Sequence, residues 1–125
     1  MATFVLMTKL SPQLAGDPRG RKRVGREWIK KIHACCPGVK WICHYALLGR
    51  YDFMDIYEAP DAETAHKVSY YSLAAGASAA ESWHAVPYDR YVELIDETAA
   101  KAPSRRRAAA KGKAAAKRRA PAKRK

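Results

Sequence analysis

The chain has 125 residues, of which 24 are Lys or Arg and 12 are Asp or Glu, so its formal net charge is +12. Residues 1–100 hold 12 basic and all 12 acidic residues and are neutral, whereas residues 101–125 hold 12 basic and no acidic residues. The neutral body has room for one domain of about 100 residues, and no segment approaches the roughly 20 apolar residues that a membrane span requires.

The first third of the body predicts a strand followed by an amphipathic helix. Residues 3–8 form a continuous apolar run, which is typical of a buried strand. Asp17 followed by Pro18 predicts a helix start, because aspartate accepts hydrogen bonds from first-turn amides and proline fits the first helical position. Apolar residues then recur at helical spacing: Val24, Trp28, Ile29 and Ile32.

The rest of the body predicts a hairpin, a helix, a fourth strand and a final helix. These segments cover residues 39–48, 51–59, 60–75 and 81–86, and the final helix begins at Pro87. The order β-α-β-β-α-β plus one helix predicts an α+β fold. We expect a ferredoxin-like antiparallel sheet with an extra C-terminal helix, followed by a disordered basic tail.

One face of such a sheet lies under its two helices, and the other face needs a different cover. Residues 39–48 alternate without leaving a purely polar face, and an exposed, partly apolar sheet is an interaction surface. We therefore expect a homo-oligomer, most simply a dimer whose two sheets lie face to face in an α/β barrel. The alternative is that the final helix covers this face within one chain.

The turn of the hairpin carries a family resemblance. Residues 48–65, and above all Gly49, Tyr51 and Asp52 in a Gly-x-Tyr-Asp turn, resemble the signature of the GYD-domain family. The resemblance extends over about residues 2–97. It implies a small ferredoxin-like α+β domain that tends to oligomerise, with no established reaction. We therefore expect a GYD-like domain over residues 1–98 and a tail over residues 99–125.

The hairpin also predicts a pair of titratable side chains. If its turn is a two-residue loop, paired positions sum to 99, and His44 lies opposite Asp55 on one face of the sheet. A carboxylate in this position orients the imidazole and favours its charged form. Together with His84 on the last strand, the pair predicts a ligand site in the oligomer interface.

The same residues also suit purely structural roles. The pair of His44 and Asp55 then only fixes the register of the hairpin. Gly49 supplies an unusual backbone angle, and Asp52 accepts hydrogen bonds from turn amides. The functional alternative makes Tyr51 and Asp52 ligand contacts. No catalytic residue is assigned, because the sequence lacks Gly-x-Ser-x-Gly and phosphate-loop motifs.

The three cysteines are expected to be reduced thiols rather than metal ligands. The adjacent Cys35 and Cys36 lack the spacing that tetrahedral zinc prefers, and Cys43 and His44 point to opposite faces of a strand. We therefore expect no metal and no cofactor. An odd cysteine count without a signal-peptide pattern favours a cytoplasmic location, with nucleoid association in a bacterium.

The tail is the strongest functional signal. It consists of Ala, Lys, Arg and Pro with one Ser and one Gly, which is too little apolar surface to fold alone. The composition is similar to the tails of linker histones and bacterial nucleoid proteins. Clustered cations displace counterions from phosphate backbones, so we expect non-specific, salt-sensitive binding of DNA or RNA. The expected contacts are Arg105, Arg106, Arg107, Lys111, Lys113, Lys117, Arg118, Arg119, Lys123, Arg124 and Lys125.

The predicted first helix is a second basic segment. Residues 17–31 carry seven basic and two acidic residues, whereas residues 32–100 carry four basic and ten acidic residues. This segment suits a basic patch that continues the binding track of the tail, a solvated helix face, or attraction between subunits. For the tail itself, the alternatives are anionic lipid, polyphosphate, acidic proteins, or a role in solubility alone.

Two functions follow from these patterns. The first is an oligomeric, non-enzymatic binding protein whose basic tail binds nucleic acid without sequence specificity. The second is a small-molecule-binding or cofactor-independent enzymatic domain with a site at the subunit interface near His44, Asp55 and His84, which the tail merely localises. Neither function requires a membrane.

Overall fold

The computed structural model describes residues 1–101, which form four strands and four helices. They are β1 (Ala2–Leu10), α1 (Pro12–Ala15), α2 (Pro18–Cys35), β2 (Lys40–Ala46), β3 (Phe53–Ala59), α3 (Ala62–Ala74), β4 (Ala77–Ala85) and α4 (Tyr88–Lys101). The predicted succession of elements is confirmed, with the short helix α1 in addition. The predicted nucleic-acid contacts, from Arg105 to Lys125, lie outside the described residues.

The strands form an open antiparallel sheet in the order β2-β3-β1-β4. β3 and β1 are central, and β2 and β4 are the edges. The domain is therefore of the mixed α/β type, and the hairpin of β2 and β3 is confirmed. The expected α/β barrel is not seen, because the sheet of residues 1–86 is open at both edges.

Aspartate caps begin helices α2 and α3. Asp17 precedes α2, and its Oδ1 accepts the backbone N–H of Gly20 at 3.0 Å, while Pro18 occupies the first turn. Asp61 precedes α3 and accepts the backbone N–H of Thr64 at 2.8 Å. Hydrogen bonds from the side chain and backbone of Thr64 lower the pKa of Asp61. Both helix starts are thus encoded locally.

The core lies between one face of the sheet, here called the helix face, and helices α2 and α3. Its fully buried large side chains are Leu6, Ile32, Tyr57 and Val68. The strand residues Phe4, Leu6 and Tyr57 share the helix face, and the rings of Phe4 and Tyr57 stack with centroids 5.5 Å apart. The register therefore assigns every strand residue to the helix face or to its opposite.

The opposite face, here called the second face, is rich in apolar side chains. By register it carries Val5, Met7, Tyr45, Met54, Ile56 and Trp83. Tyr45 is 57% exposed and Trp83 is 48% exposed. Large aromatic surface thus remains on this face, as the alternation of residues in β2 had indicated.

The hairpin differs from the prediction in its turn and in its far end. The connection between β2 and β3 is six residues long rather than two. Next to the turn, paired positions still sum to 99, and Gly49 has the predicted unusual backbone angle, with φ at +156°. A bulge between Trp41 and Cys43 then shifts the register by one residue. The pairing of His44 depends only on the regular part.

β4 begins at Ala77, before the predicted start at Glu81. Ala79 and Ala80 pair with β1, but small residues carry no strand signal of their own. The strand is therefore longer than the local residue preferences indicated, because β1 supplies backbone hydrogen-bond partners for its first residues.

Helix α4 belongs to a second compact unit that begins at Pro87. Arg90 donates hydrogen bonds of 2.9 Å to both Glu93 and Glu97 on its surface. Its predicted apolar side chains, which are exposed, are Tyr88, Tyr91, Val92 and Ile95. Across residues 1–101, no helix combines the length and the apolar character that a membrane crossing needs.

Candidate functional site

β2 and β3 bring His44 and Asp55 together, as the hairpin register predicted. The two residues are direct cross-strand partners, and His44 Nδ1 lies 2.5 Å from Asp55 Oδ1. The His44 ring also stacks on the ring of Phe53, with centroids 5.3 Å apart. One polar and one aromatic contact therefore hold the imidazole in place.

The two members of this pair differ in exposure. The side chain of Asp55 is 6% exposed, whereas that of His44 is 59% exposed. Burial raises the pKa of Asp55 above its ordinary value, although the charge and the hydrogen bond of His44 oppose the rise. The pair is thus a buried carboxyl group joined to an imidazole that solvent reaches.

The pair lies on the helix face, not between two facing sheets. Asp55 is opposite Leu6 and two residues from Tyr57, and both of these side chains are fully buried in the core. The pair thus lies under helices of its own chain, and its predicted position in an oligomer interface stays a prediction. Alternation along β3 directs Asp55 toward the helices.

His84 lies on the same face but apart from the pair. It is opposite Phe4, and the centroids of these two rings are 5.3 Å apart. Strand β1 separates β4 from β3, so at about 4.8 Å per strand His84 lies roughly 10 Å or more from Asp55. The structure does not bring the three predicted residues into one group.

Tyr51 and Asp52 make contacts that tie the turn to the sheet. Asp52 Oδ2 accepts the backbone N–H of Leu10 at 2.7 Å. The Tyr51 hydroxyl donates to Glu81 at 2.8 Å, which raises the pKa of Tyr51 and lowers that of Glu81. Both contacts are structural, but Asp52 accepts from an amide at the end of β1 and not from the predicted turn amides.

A cavity of about 960 Å³ lies between α2 and the helix face. His44 and Asp55 line it, together with the aromatic side chains of Trp28, Trp41 and Phe53. His84, Tyr51 and Asp52 do not line it. The structure therefore places one predicted pair, but none of its predicted companions, in a cavity of ligand size.

Sequence reasoning missed the residues of α2 that line this cavity. Arg21, Gly25 and Trp28 are spaced by four and three positions, so they form one stripe of the helix. This spacing could have identified the stripe from the sequence. It overlaps, however, with the stronger apolar repeat that ends at Ile32.

The outer side of α2 is a cationic surface. Four of its basic residues follow one stripe at helical spacing: Arg19, Arg23, Arg26 and Lys30. All seven basic residues of α2 are exposed. Among residues 1–101, ion pairs join only His44 to Asp55 and Arg90 to two glutamates, so no cation of α2 is in one.

No group of three or more His, Cys, Asp and Glu side chains within residues 1–101 could hold a metal ion. The cysteines are free thiols, of which Cys35 is exposed and Cys36 is buried. Burial raises the pKa of Cys36, so this thiol is a packed core side chain rather than a nucleophile.

Asp55→Asn is expected to change the pH dependence of stability. A raised folded pKa means that the folded chain holds this proton more tightly than the unfolded chain. Asp55 therefore contributes fully to the free energy of unfolding below its ordinary pKa of 3.8. This contribution is lost as pH rises through the raised pKa of the folded state. Asp55→Asn should remove this loss. From about pH 4 upward, the free energy of unfolding of the variant should therefore rise relative to that of the parent.

Urea unfolding between about pH 3 and pH 6 measures this difference. Asp61→Asn is the matched control, because the pKa of Asp61 is lowered and the sign is opposite. Stability from Asp61 is present above its ordinary pKa and is lost as pH falls. Identical pH trends for the two variants would contradict the assignment to Asp55.

Comparisons with known proteins identify one family and one relative. The model of the GYD domain matches residues 4–95. A relative from Thermus thermophilus is named "Glutamine synthetase and cystathionine beta-lyase binding protein". It is 29% identical over 91 residues, which cover 70% of this chain and 90% of that protein. No solved structure matches the chain significantly.

Proposed function

This chain belongs to the GYD-domain family, and we propose that it is a non-enzymatic binding protein that holds the phosphate backbone of nucleic acid. The observation that carries this proposal is the cationic surface of α2. Its seven basic side chains are exposed, and none is in an ion pair within residues 1–101. A surface with this much free positive charge attracts polyanions.

The dimensions of α2 suit a phosphate backbone. Its 18 residues extend about 27 Å, which corresponds to the axial rise of about eight base pairs of B-form DNA. Each phosphate that a cation neutralises releases condensed counterions. The stripe of Arg19, Arg23, Arg26 and Lys30 presents its charges along this length on one side of the helix.

In this proposal, the basic tail adds further positive charge to that of α2. Residues 102–125 hold eleven basic residues, no acidic residue and no aromatic residue. Without aromatic side chains the tail has no base-stacking platform, so its binding is expected to depend on charge rather than base sequence. In composition the tail resembles the polycationic tails of linker histones.

The experiment neutralises α2 outside the cavity. A triple variant with Arg19→Gln, Arg23→Gln and Lys30→Gln is expected to bind duplex DNA about tenfold more weakly at low salt. The slope of log affinity against log salt should fall by about 2 to 3, because each phosphate contact contributes about 0.9. Fluorescence anisotropy with labelled duplex DNA measures both quantities.

The matched control removes the same charge elsewhere. A variant with Lys9→Gln, Lys40→Gln and Lys67→Gln has the same net charge, but its substitutions lie outside α2. Its affinity should stay within about twofold of the parent if binding is local to α2 and the tail. Equal losses in both triple variants would assign the effect to net charge alone and would remove α2 from the proposal.

A second function, protein binding, is favoured by the second face of the sheet. Tyr45 and Trp83 expose aromatic surface there, and Val5 and Ile56 lie between them by register. Aromatic residues with apolar neighbours are typical of protein interfaces. The printed name of the Thermus relative, a protein that binds two enzymes, supports a protein partner for this chain as well.

The simplest protein partner is a second copy of this chain. Two such faces complement each other by symmetry, and an isologous dimer buries the same apolar surface twice. A dimer would also carry two basic tails, and two linked binding segments raise the apparent affinity for one long polyanion. Protein binding and nucleic-acid binding are thus compatible in this proposal.

A further inference from the structure

Helix α2 forms one wall of the cavity and is anchored in the core by Ile32 near its C-terminal end. Its buried residues are Gly20 and Ile32. Between them, the large side chain of Trp28 spaces the helix from the sheet: its Nε1 donates to Ser72 at 2.9 Å, and its ring centroid lies 5.2 Å from that of Trp41. The volume of about 960 Å³ falls within the usual range of small-molecule sites.

One polar atom in the cavity wall lacks a partner. Trp41 lines the cavity, and its Nε1 is buried without any hydrogen bond among residues 1–101. An unpaired buried N–H is costly, and in native proteins such a donor usually has an acceptor. A ligand oxygen in the cavity would supply this acceptor.

The charged groups of the wall favour an anion. Three cations line the cavity, at Arg21, Lys22 and Arg26, and Asp55 is its one acidic residue. Asp55 is already hydrogen-bonded to His44. The remaining charge is therefore positive, and Arg21 lies over the Phe53 ring at 5.9 Å from its centroid.

The apolar wall favours an aromatic body. Trp28, Trp41 and Phe53 present three aromatic side chains, and His44 adds a ring stacked on Phe53. Aromatic rings pack against one another in offset or edge-on arrangements, which a planar ligand satisfies. The basic tail is not a suitable occupant of the cavity, because its cations would meet the cations of α2.

We propose that the cavity between α2 and the helix face binds an aromatic organic acid in its anionic form. The aromatic body packs among Trp28, Trp41 and Phe53, and Arg21 and Arg26 neutralise the acid group. The imidazole of His44, held by Asp55 through Nδ1, leaves Nε2 for a polar group of the ligand. This site uses one chain alone, and of the stripe proposed for nucleic acid it shares only Arg26.

The test compares two fluorescent probes that differ only in charge. Anilinonaphthalene sulfonate carries an anionic group, and N-phenylnaphthylamine is the same ring system without it. We expect one sulfonate molecule to bind each full-length chain, at least tenfold more tightly than the neutral amine. Indoleacetate, a natural type of aromatic carboxylate, should displace the bound sulfonate.

Two sets of variants locate the probe. Gly25 lines the cavity and has open space where a side chain would begin, so Gly25→Leu should narrow the cavity and weaken sulfonate binding at least tenfold. Gly25→Ala adds only one methyl group, so its affinity for the sulfonate should fall by less than twofold. Both substitutions favour helix, which keeps α2 folded. The double variant Arg21→Gln and Arg26→Gln should lose the preference for sulfonate over the neutral amine.

Three outcomes would overturn the proposal. The first is equal sulfonate affinity in Gly25→Leu and Gly25→Ala. The second is an unchanged charge preference after loss of Arg21 and Arg26. The third is binding of several sulfonate molecules per chain without displacement by indoleacetate, which would indicate exposed apolar surface instead of one site. None of these outcomes bears on DNA binding by Arg19, Arg23 and Lys30.

Discussion

Removal of residues 102–125 is expected to weaken binding to duplex DNA by about 100-fold or more at low ionic strength. The removed segment holds eleven basic and no acidic residues, whereas residues 1–101 hold 13 basic and 12 acidic residues. A chain that ends at Lys101 keeps every described strand and helix. The loss of affinity should therefore arise from charge and not from unfolding.

The salt dependence separates this effect from a non-ionic contact. Each neutralised phosphate contributes about 0.9 to the slope of log affinity against log salt, so the full chain should lose about 1,000-fold between 50 and 200 mM salt if it neutralises at least six phosphates. The shortened chain should retain only the contribution of α2, a slope of about 2 to 3. Anisotropy titrations at several salt concentrations measure both slopes.

A full-length chain with the eleven basic residues of the tail changed to glutamine is the matched control. It preserves length but removes charge, so it should bind as weakly as the shortened chain. If the shortened chain and the parent bound duplex DNA equally, the tail would have no role in the function proposed for it. If the glutamine variant retained affinity, contacts other than charge would be responsible.

Trp83→Glu is expected to dissociate a dimer formed through the second face, raising its dissociation constant by about 30-fold or more. Trp83 is half exposed in the single chain, and tryptophans at the centre of an interface typically contribute about 2 kcal/mol or more. The substitution also places a carboxylate beside Glu81, whose side chain accepts a hydrogen bond from Trp83 Nε1 at 2.8 Å. Burial of two neighbouring carboxylates would oppose association further.

Sedimentation of the full-length chain across micromolar concentrations measures the dimer. Tyr70→Glu is the control, because Tyr70 is an exposed aromatic residue on α3, outside the sheet. This variant should associate as the parent does. A parent chain that is monomeric at high micromolar concentration, or equal effects of the two substitutions, would remove the second face as a self-association surface.

The location of the candidate site shows where prediction from sequence ends. The pairing of His44 with Asp55 was predictable, because a hairpin register depends on residues close in sequence. The face on which the pair lies was not, since that depends on which side of the sheet α2 and α3 cover. An interface between sheets was expected, and the structure places the pair beneath a helix of its own chain.

The wall of the cavity was hidden for a related reason. Val24, Trp28 and Ile32 predicted an apolar stripe in contact with a core, and Ile32 is indeed fully buried. Close packing along the whole stripe would leave no cavity. Instead, the bulk of Trp28 against Trp41 separates α2 from the sheet, and Gly25 has no side chain to fill the gap.

By itself, the sequence determined the division of charge, the GYD-domain family, the order of strands and helices, and the capped starts of α2 and α3. Each of these depends on composition or on residues within a few positions of one another. Only the tertiary structure decided the extent of β4, the orientation of His44 and Asp55 toward α2, and the cavity with its unpaired Trp41 donor. These features arise where segments far apart in the chain meet, because the available space there is set by side-chain volumes on both sides of the contact.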